Sequence, residues 1–165
     1  MSADLAHPAV VAQLEALGIA HEVVACDPEL ADTAAFCAHY GYSPADSANT
    51  IVVVGRADPP RYAACVVLAT TRLDVNRTVR QRLGTRKASF ASAEQTMDLT
   101  GMLLGGVTAL GLPAELPLWI DGAVMTRERV ILGGGSRSAK VLLAPSELVR
   151  LPGAEVVEGL AQPLG

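Results

Sequence analysis

Residues 50–54 read Thr50-Ile51-Val52-Val53-Val54, and residues 62–69 form a second apolar run. A loop holding Pro59-Pro60 lies between them. β-Branched residues in such short runs favour strands, and the proline-bearing loop makes the two runs sheet neighbours. Both are apolar at successive positions rather than alternate ones. A strand wetted on one face alternates, so these two strands need apolar cover on both faces. The rest of the chain must supply that cover. With 165 residues there is room for one compact domain and not for two ordinary ones. Aromatic residues make up 4% of the chain, so the core is built from Val, Leu, Ile and Ala.

The remaining segments fit a single mixed α/β (α+β) domain over residues 1–165, with at least five strands and several helices. Pro8 and Gly18 bracket a helix with Val10, Val11, Leu14 and Leu17 at helical spacing. Asp32 is placed to cap a helix over 33–40, and Asp74 one over 75–83 that Gly84 closes. Ser92 caps a helix over 93–99, and residues 146–149 form a helical turn. Residues 21–24, 118–121, 129–132 and 140–143 are further short strands, with an edge strand at 156–157. The Gly133-Gly134-Gly135-Ser136 run separates two of them.

Charge is unevenly spread. The net charge is −4, yet residues 72–87 alone carry +5, from Arg72, Arg77, Arg80, Arg82, Arg86 and Lys87 against Asp74. Arg77 and Arg80 share one helix face, opposite Val75, Val79 and Leu83. The segment is either a phosphate footprint in an acidic protein or a solvated helix face. No apolar run reaches the ~18 residues that a membrane helix needs. The three cysteines, Cys26, Cys37 and Cys65, are odd in number, irregularly spaced and free of C-x-x-C pairs. That pattern fits thiols in a reducing cytoplasm rather than a disulfide framework.

Familiar catalytic signatures are missing. His7, His21 and His39 form no metal-ligand spacing, so no metal is expected. There is no G-x-S-x-G elbow and no phosphate-binding glycine fingerprint, and no cofactor is expected. An enzyme of this composition would position its substrate with backbone groups and small polar side chains.

One set of motifs, in order, is informative. It comprises Ala48-Asn49-Thr50-Ile51-Val52-Val53-Val54, Asp74 opening a helix that ends at Gly84, and Ala93-Glu94 leading to Thr100-Gly101. It continues through Gly105-Gly106-Val107-Thr108, Ile120-Asp121 and Ile131-Leu132-Gly133-Gly134-Gly135-Ser136-Arg137. Over residues 47–143 the chain resembles the YbaK / prolyl-tRNA-synthetase-associated domain family of aminoacyl-tRNA deacylases. The resemblance implies a compact domain on a mixed sheet. It also implies hydrolysis of the ester joining a wrong amino acid to tRNA, typically tRNA for proline. In that family no side-chain nucleophile is the rule, the terminal ribose hydroxyl helps activate water, and a glycine-containing loop holds the aminoacyl carbonyl. Two positions depart from its pattern. Asn49 stands where the family usually has lysine, and Ala109 where the glycine loop usually ends in proline.

The residues this points to are Asn49, Gly105, Gly106 and Asp121 for catalysis, and Thr50, Thr108, Gly133, Gly134, Gly135 and Ser136 for substrate binding. Arg77, Arg80 and Arg137 would meet tRNA phosphate. Each has a plainer alternative. Asn49 can simply cap the strand entry, Asp121 can open an Asp-Gly turn, the glycines can form a bulge or hairpin, and the arginines can sit in water. Phe36 and Tyr40 either stack a terminal base or belong to the core. Two main readings follow: a trans-editing hydrolase attacking the ester with water, or a non-catalytic module that binds aminoacyl-tRNA or an amino acid, favoured by Asn49 in place of lysine. A third is an interaction domain that docks on an aminoacyl-tRNA synthetase or on itself. The expected partner is tRNA, with a synthetase as a second, no membrane, and either a monomer or a homodimer.

Overall fold

The computed structural model describes residues 6–102 and 106–164. The chain begins with α1 (Pro8–Leu17), β1 (Glu22–Ala25) and α2 (Thr33–Tyr40). The two apolar runs become β2 (Ala48–Gly55) and β3 (Arg61–Leu68), followed by β4 (Thr71–Leu73). Then come α3 (Arg80–Leu83), β5 (Ala88–Phe90), α4 (Ala93–Thr100) and β6 (Leu118–Asp121). The chain closes with β7 (Val130–Gly133), β8 (Ala139–Leu143), α5 (Pro145–Leu148), β9 (Ala154–Val157) and β10 (Ala161–Pro163).

The central sheet is five-stranded, in the order β5-β2-β3-β6-β9. β2 pairs antiparallel with β3 and β5, while β6 lies parallel to β3 and β9, so the sheet is mixed. β1, β8 and β7 make a second, three-stranded sheet. The two sheets meet at a single parallel bridge, Ser47 to Ile131, just ahead of β2. That junction is where the candidate site lies.

Both faces of the central sheet are covered, as continuous apolar strands require. Ala64, Val66, Leu68, Leu118 and Ile120 pack with Val10 and Leu14 of α1 and with Val130, Leu132, Val141 and Leu143 of the second sheet. On the other face Val53, Ala63, Cys65, Val67 and Trp119 meet Val79, Leu83 and Leu160. Each buried aliphatic side chain contributes about 1.5–3 kcal/mol. Ile120, with no exposed surface, is a position where truncation to Ala costs about 2–5 kcal/mol. Cys26, Cys37 and Cys65 are all free and buried.

The helix ends follow local chemistry. His7 caps α1, its Nδ1 accepting from the Ala9 N–H at 3.1 Å, with Pro8 in the first turn. Ser92 and Gln95 form a reciprocal capping box at α4. The helix expected over 75–83 is not one regular helix. Residues Val75–Val79 form a wider π turn, and only Arg80–Leu83 are α-helical. Asp74 does not cap it. Its carboxylate accepts from the Thr78 hydroxyl at 3.0 Å, and its carbonyl accepts from the Val79 N–H five residues on. Gly84 closes the segment at φ +69°, as its sequence position suggests.

Candidate functional site

A cavity of about 260 Å³ opens at the junction of the two sheets. One side is the start of β2, contributing Ser47, Asn49 and Thr50. The facing side is residues 31–33, leading into α2, and the rest comes from Val107, Ile131, Gly133 and Lys140. Sheet register explains the last pair: Gly133 is opposite Lys140 in the antiparallel β7–β8 ladder.

Asn49 is half-buried, and its Oδ1 accepts from the Thr33 hydroxyl at 3.0 Å. That bond ties β2 to α2 and leaves the side-chain amide N–H groups as the donors Asn49 can offer. Thr50 lines the same cavity, and its buried hydroxyl has no hydrogen-bond partner among the described residues. A buried hydroxyl without a partner carries a desolvation cost that an acceptor or donor in the cavity would relieve.

The glycines divide into two groups. A Cβ on Gly106 would lie 2.9 Å from the Ser136 carbonyl, and one on Gly133 would lie 2.8 Å from the Val107 carbonyl. Residues 106–107 therefore pack backbone to backbone against the β7–β8 turn, which only glycine permits. Gly133 faces the cavity. Gly134 and Gly135 do not line it: the Gly134 N–H donates to Ala139, its carbonyl accepts from His7, and Gly135 turns the chain at φ +80°. The plainer reading, a hairpin turn, describes these two. The Ser136 hydroxyl accepts from the Ser138 N–H within that turn. Gly105 lies outside the described residues.

Other expected residues are placed elsewhere. Asp121 is 2% exposed, and its Oδ1 accepts from the Ala161 N–H at 3.2 Å. It sits two strands from β2, roughly 10 Å away at the usual strand spacing, and does not line the cavity. Its carboxylate anchors β10 to the sheet. Thr108 has no exposed surface and also lies outside the cavity lining; its hydroxyl lacks a partner among the described residues. Phe36 belongs to the core: it is 1% exposed and stacked on Tyr42 at 5.4 Å and beside Tyr40 at 4.8 Å. Arg77 is exposed on the π turn, whereas the Arg80 Nε folds back onto the Asn76 carbonyl. Arg137 lies near the cavity wall, donating to the Pro28 carbonyl at 2.9 Å and facing Asp32 at 3.9 Å.

Lys140 is the residue that sequence reasoning missed. It is 8% exposed and lines the cavity. Its Nζ donates to the Ala31 carbonyl at 2.6 Å and lies 5.5 Å from the centre of the Phe36 ring. Burial holds its pKa below the ordinary lysine value; the neighbouring Arg137 lowers it further, while Asp32 opposes the shift. The signal was a lysine inside Ala-Lys-Val-Leu-Leu, a strand buried at every position. A charge in such a strand needs a reason, because lysine is almost never fully buried without a partner. Among the described residues no group of His, Cys, Asp and Glu is arranged to hold a metal.

The comparisons with known proteins agree with this architecture. A model of the aminoacyl-tRNA editing domain family matches residues 27–151. A candidate Cys-tRNA(Pro)/Cys-tRNA(Cys) deacylase, EbsC of Enterococcus faecalis, is 23% identical over 110 residues, or 67% of this chain. The match spans 65% of that relative's own length. A crystal structure of a hypothetical protein, APE2540, superposes with a TM-score of 0.83 at 26% identity, covering 93% of this chain and 99% of the other. A crystal structure of a candidate trans-editing enzyme for prolyl tRNA synthetase gives 0.80 at 25% identity, covering 99% and 98%. The family model covers three quarters of the sequence, the fold matches these solved structures, and the chain belongs to the aminoacyl-tRNA editing domain family, of YbaK type.

Proposed function

We propose that this protein is a trans-editing hydrolase that frees a non-cognate amino acid from tRNA, with tRNA for proline as the first candidate. The family membership and the names carried by its relatives support this reading. The observation that carries it is the cavity where Asn49, Thr50 and Gly133 converge beside Lys140. Its lining offers hydrogen-bonding groups and holds neither cysteine nor histidine.

In this reading the 3′-terminal aminoacyl ester enters between β2 and Val107. The Asn49 amide and the Thr50 hydroxyl hydrogen-bond the ester and the terminal ribose. Gly106 and Gly133 keep the wall thin enough for backbone to approach the carbonyl. Water attacks the carbonyl carbon, the ribose oxygen leaves, and a ribose hydroxyl beside the ester assists the proton transfer. Asp121 has no part in this step, since its carboxylate is committed to β10.

A second reading is favoured by one observation. The bond from Thr33 to Asn49 occupies the position with a neutral side chain, so a binding module without catalysis fits the same cavity. One assay separates them. tRNA for proline charged with Ala, Cys, Ser or Pro is incubated with the protein, and ester loss is compared with buffer alone. The hydrolase reading expects at least one non-cognate ester to be cleared roughly tenfold faster or more. Binding of charged tRNA with unchanged ester lifetime across the panel overturns it in favour of the binding module.

A further inference from the structure

Lys140 is costly where it stands. Taking an ammonium out of water is penalised unless a counter-charge or a full set of hydrogen bonds repays it. Here one N–H donates to the Ala31 carbonyl, and the Phe36 face supplies a weak cation–π contact. Among the described residues no carboxylate forms an ion pair with Lys140. Asp32 faces Arg137 instead, with its side chain 78% exposed. An ammonium has three donors, and only one has a protein acceptor among the described residues.

The cavity has a direction. Thr50, Ile51 and Val107 are shared with an adjoining hollow of about 300 Å³ lined by Phe90, Ala91 and Thr96. Phe90, 59% exposed, in turn borders a third hollow that contains Arg72. The exposed aromatic, and beyond it Arg72, therefore lie on the Thr50 side. Lys140 and Ala31 line only the first cavity, on the other side of Thr50. A nucleic-acid end arriving over Phe90 would place its ester near Thr50 and point its acyl side chain toward Lys140.

We propose that Lys140 is the specificity-determining residue of the cavity and selects an aminoacyl side chain that ends in a hydrogen-bond acceptor, a carboxylate most of all. This rests on reading the cavity as an aminoacyl site. An acceptor at the end of the side chain takes up a donor of Lys140 that no described protein group uses, whereas an apolar side chain of equal size leaves it unmet. Sites of this kind discriminate by the cost of the unpaired group rather than by size.

The test uses 3′-amide-linked aminoacyl-tRNA analogues, which cannot be hydrolysed, so binding is read apart from catalysis. Seryl, aspartyl and 2-aminobutyryl groups are compared, the first and last having the same number of heavy atoms. The wild type is expected to bind the seryl and aspartyl forms about tenfold more tightly than the 2-aminobutyryl form. Lys140→Met is expected to erase or reverse that ratio. A ratio near one in the wild type, or one that survives in Lys140→Met, overturns the proposal. If the variant does not fold, the wild type decides alone. The aspartyl preference must fade as pH rises and the amine loses its proton, with Cys26, Cys37, Asp32 and Arg137 as the other ionisable groups around it. A preference unchanged up to pH 10.5 contradicts a role for the amine. Deacylation of the corresponding esters is measured in parallel; failure there with the binding ratio intact removes the hydrolase reading and leaves the role of Lys140 standing.

Discussion

Asp121 and Lys140 are both ionisable residues on buried strands, and they are used in opposite ways. Asp121 sits at the end of β6 and accepts from the Ala161 N–H, an internal bond that fastens the terminal strand. Lys140 sits at the start of β8 with one donor committed and the rest of its amine at a cavity. The first holds a neighbouring strand and does not line the cavity. The second is an unrepaid charge, which is what a binding site needs before its ligand arrives. A candidate read from the sequence is bonded within the scaffold, and a lysine hidden in an apolar strand lines the candidate cavity.

The largest effect should come from closing the cavity itself. Gly133→Val places side-chain atoms against the Val107 carbonyl and should lower kcat/KM for deacylation about a hundredfold, read by single-turnover ester loss. Asp121→Ala should act on stability and not on the site. It strands a buried N–H and should cost about 1–3 kcal/mol in urea denaturation, with the rate per folded molecule retained. Asp121→Asn, which keeps an acceptor, should recover most of that loss. A rate collapse in Asp121→Asn at wild-type stability would erase the contrast between the two regions.

Lys140→Met should show the reverse pattern: altered substrate preference at unchanged or slightly raised stability, because an apolar side chain of similar volume replaces a desolvated charge. The sign with pH follows from its depressed native pKa. Between that value and the ordinary 10.5 the unfolded chain holds a proton that the native state has released. Wild-type stability should therefore rise with pH in that window relative to Lys140→Met, and the difference in melting temperature should shrink or change sign. The smallest effect concerns Cys65. Burial pushes its thiol up to about 12, so native protein should resist alkylation of Cys65 at pH 8.5 and react only once unfolded.

What the sequence disclosed and what it concealed divide along physical lines. β2 and β3 were legible because continuous β-branched runs admit few alternatives. The helix stops at Gly18 and Gly84 were legible because both positions take positive φ. β4, β5 and β10 were not, being three-residue strands whose existence depends on partners far away in the chain. The π turn at 75–79 was hidden because Asp74 caps by spacing alone, yet in the fold it bonds Thr78. Asn49, Thr50 and Gly133 do meet in one cavity, because strand register carries local motifs together. Lys140 enters it through the opposite strand of the same hairpin, a neighbour that no local pattern announces. For Phe36 the sequence left base stacking and core both open, because aromatic spacing on a helix does not reveal which face is buried; the fold places it in the core.

The location of the aminoacyl group is the central point, and amide chemical-shift mapping reads it directly. A non-hydrolysable seryl-adenosine analogue is titrated into labelled protein. The largest shifts should fall at residues 47–51, at Val107 and Gly133, and at Lys140, with Asp121 and Ala161 unmoved. Shifts centred on Asp121 and β10, with the β2 entry silent, would place the site on the wrong side of the sheet and contradict the account.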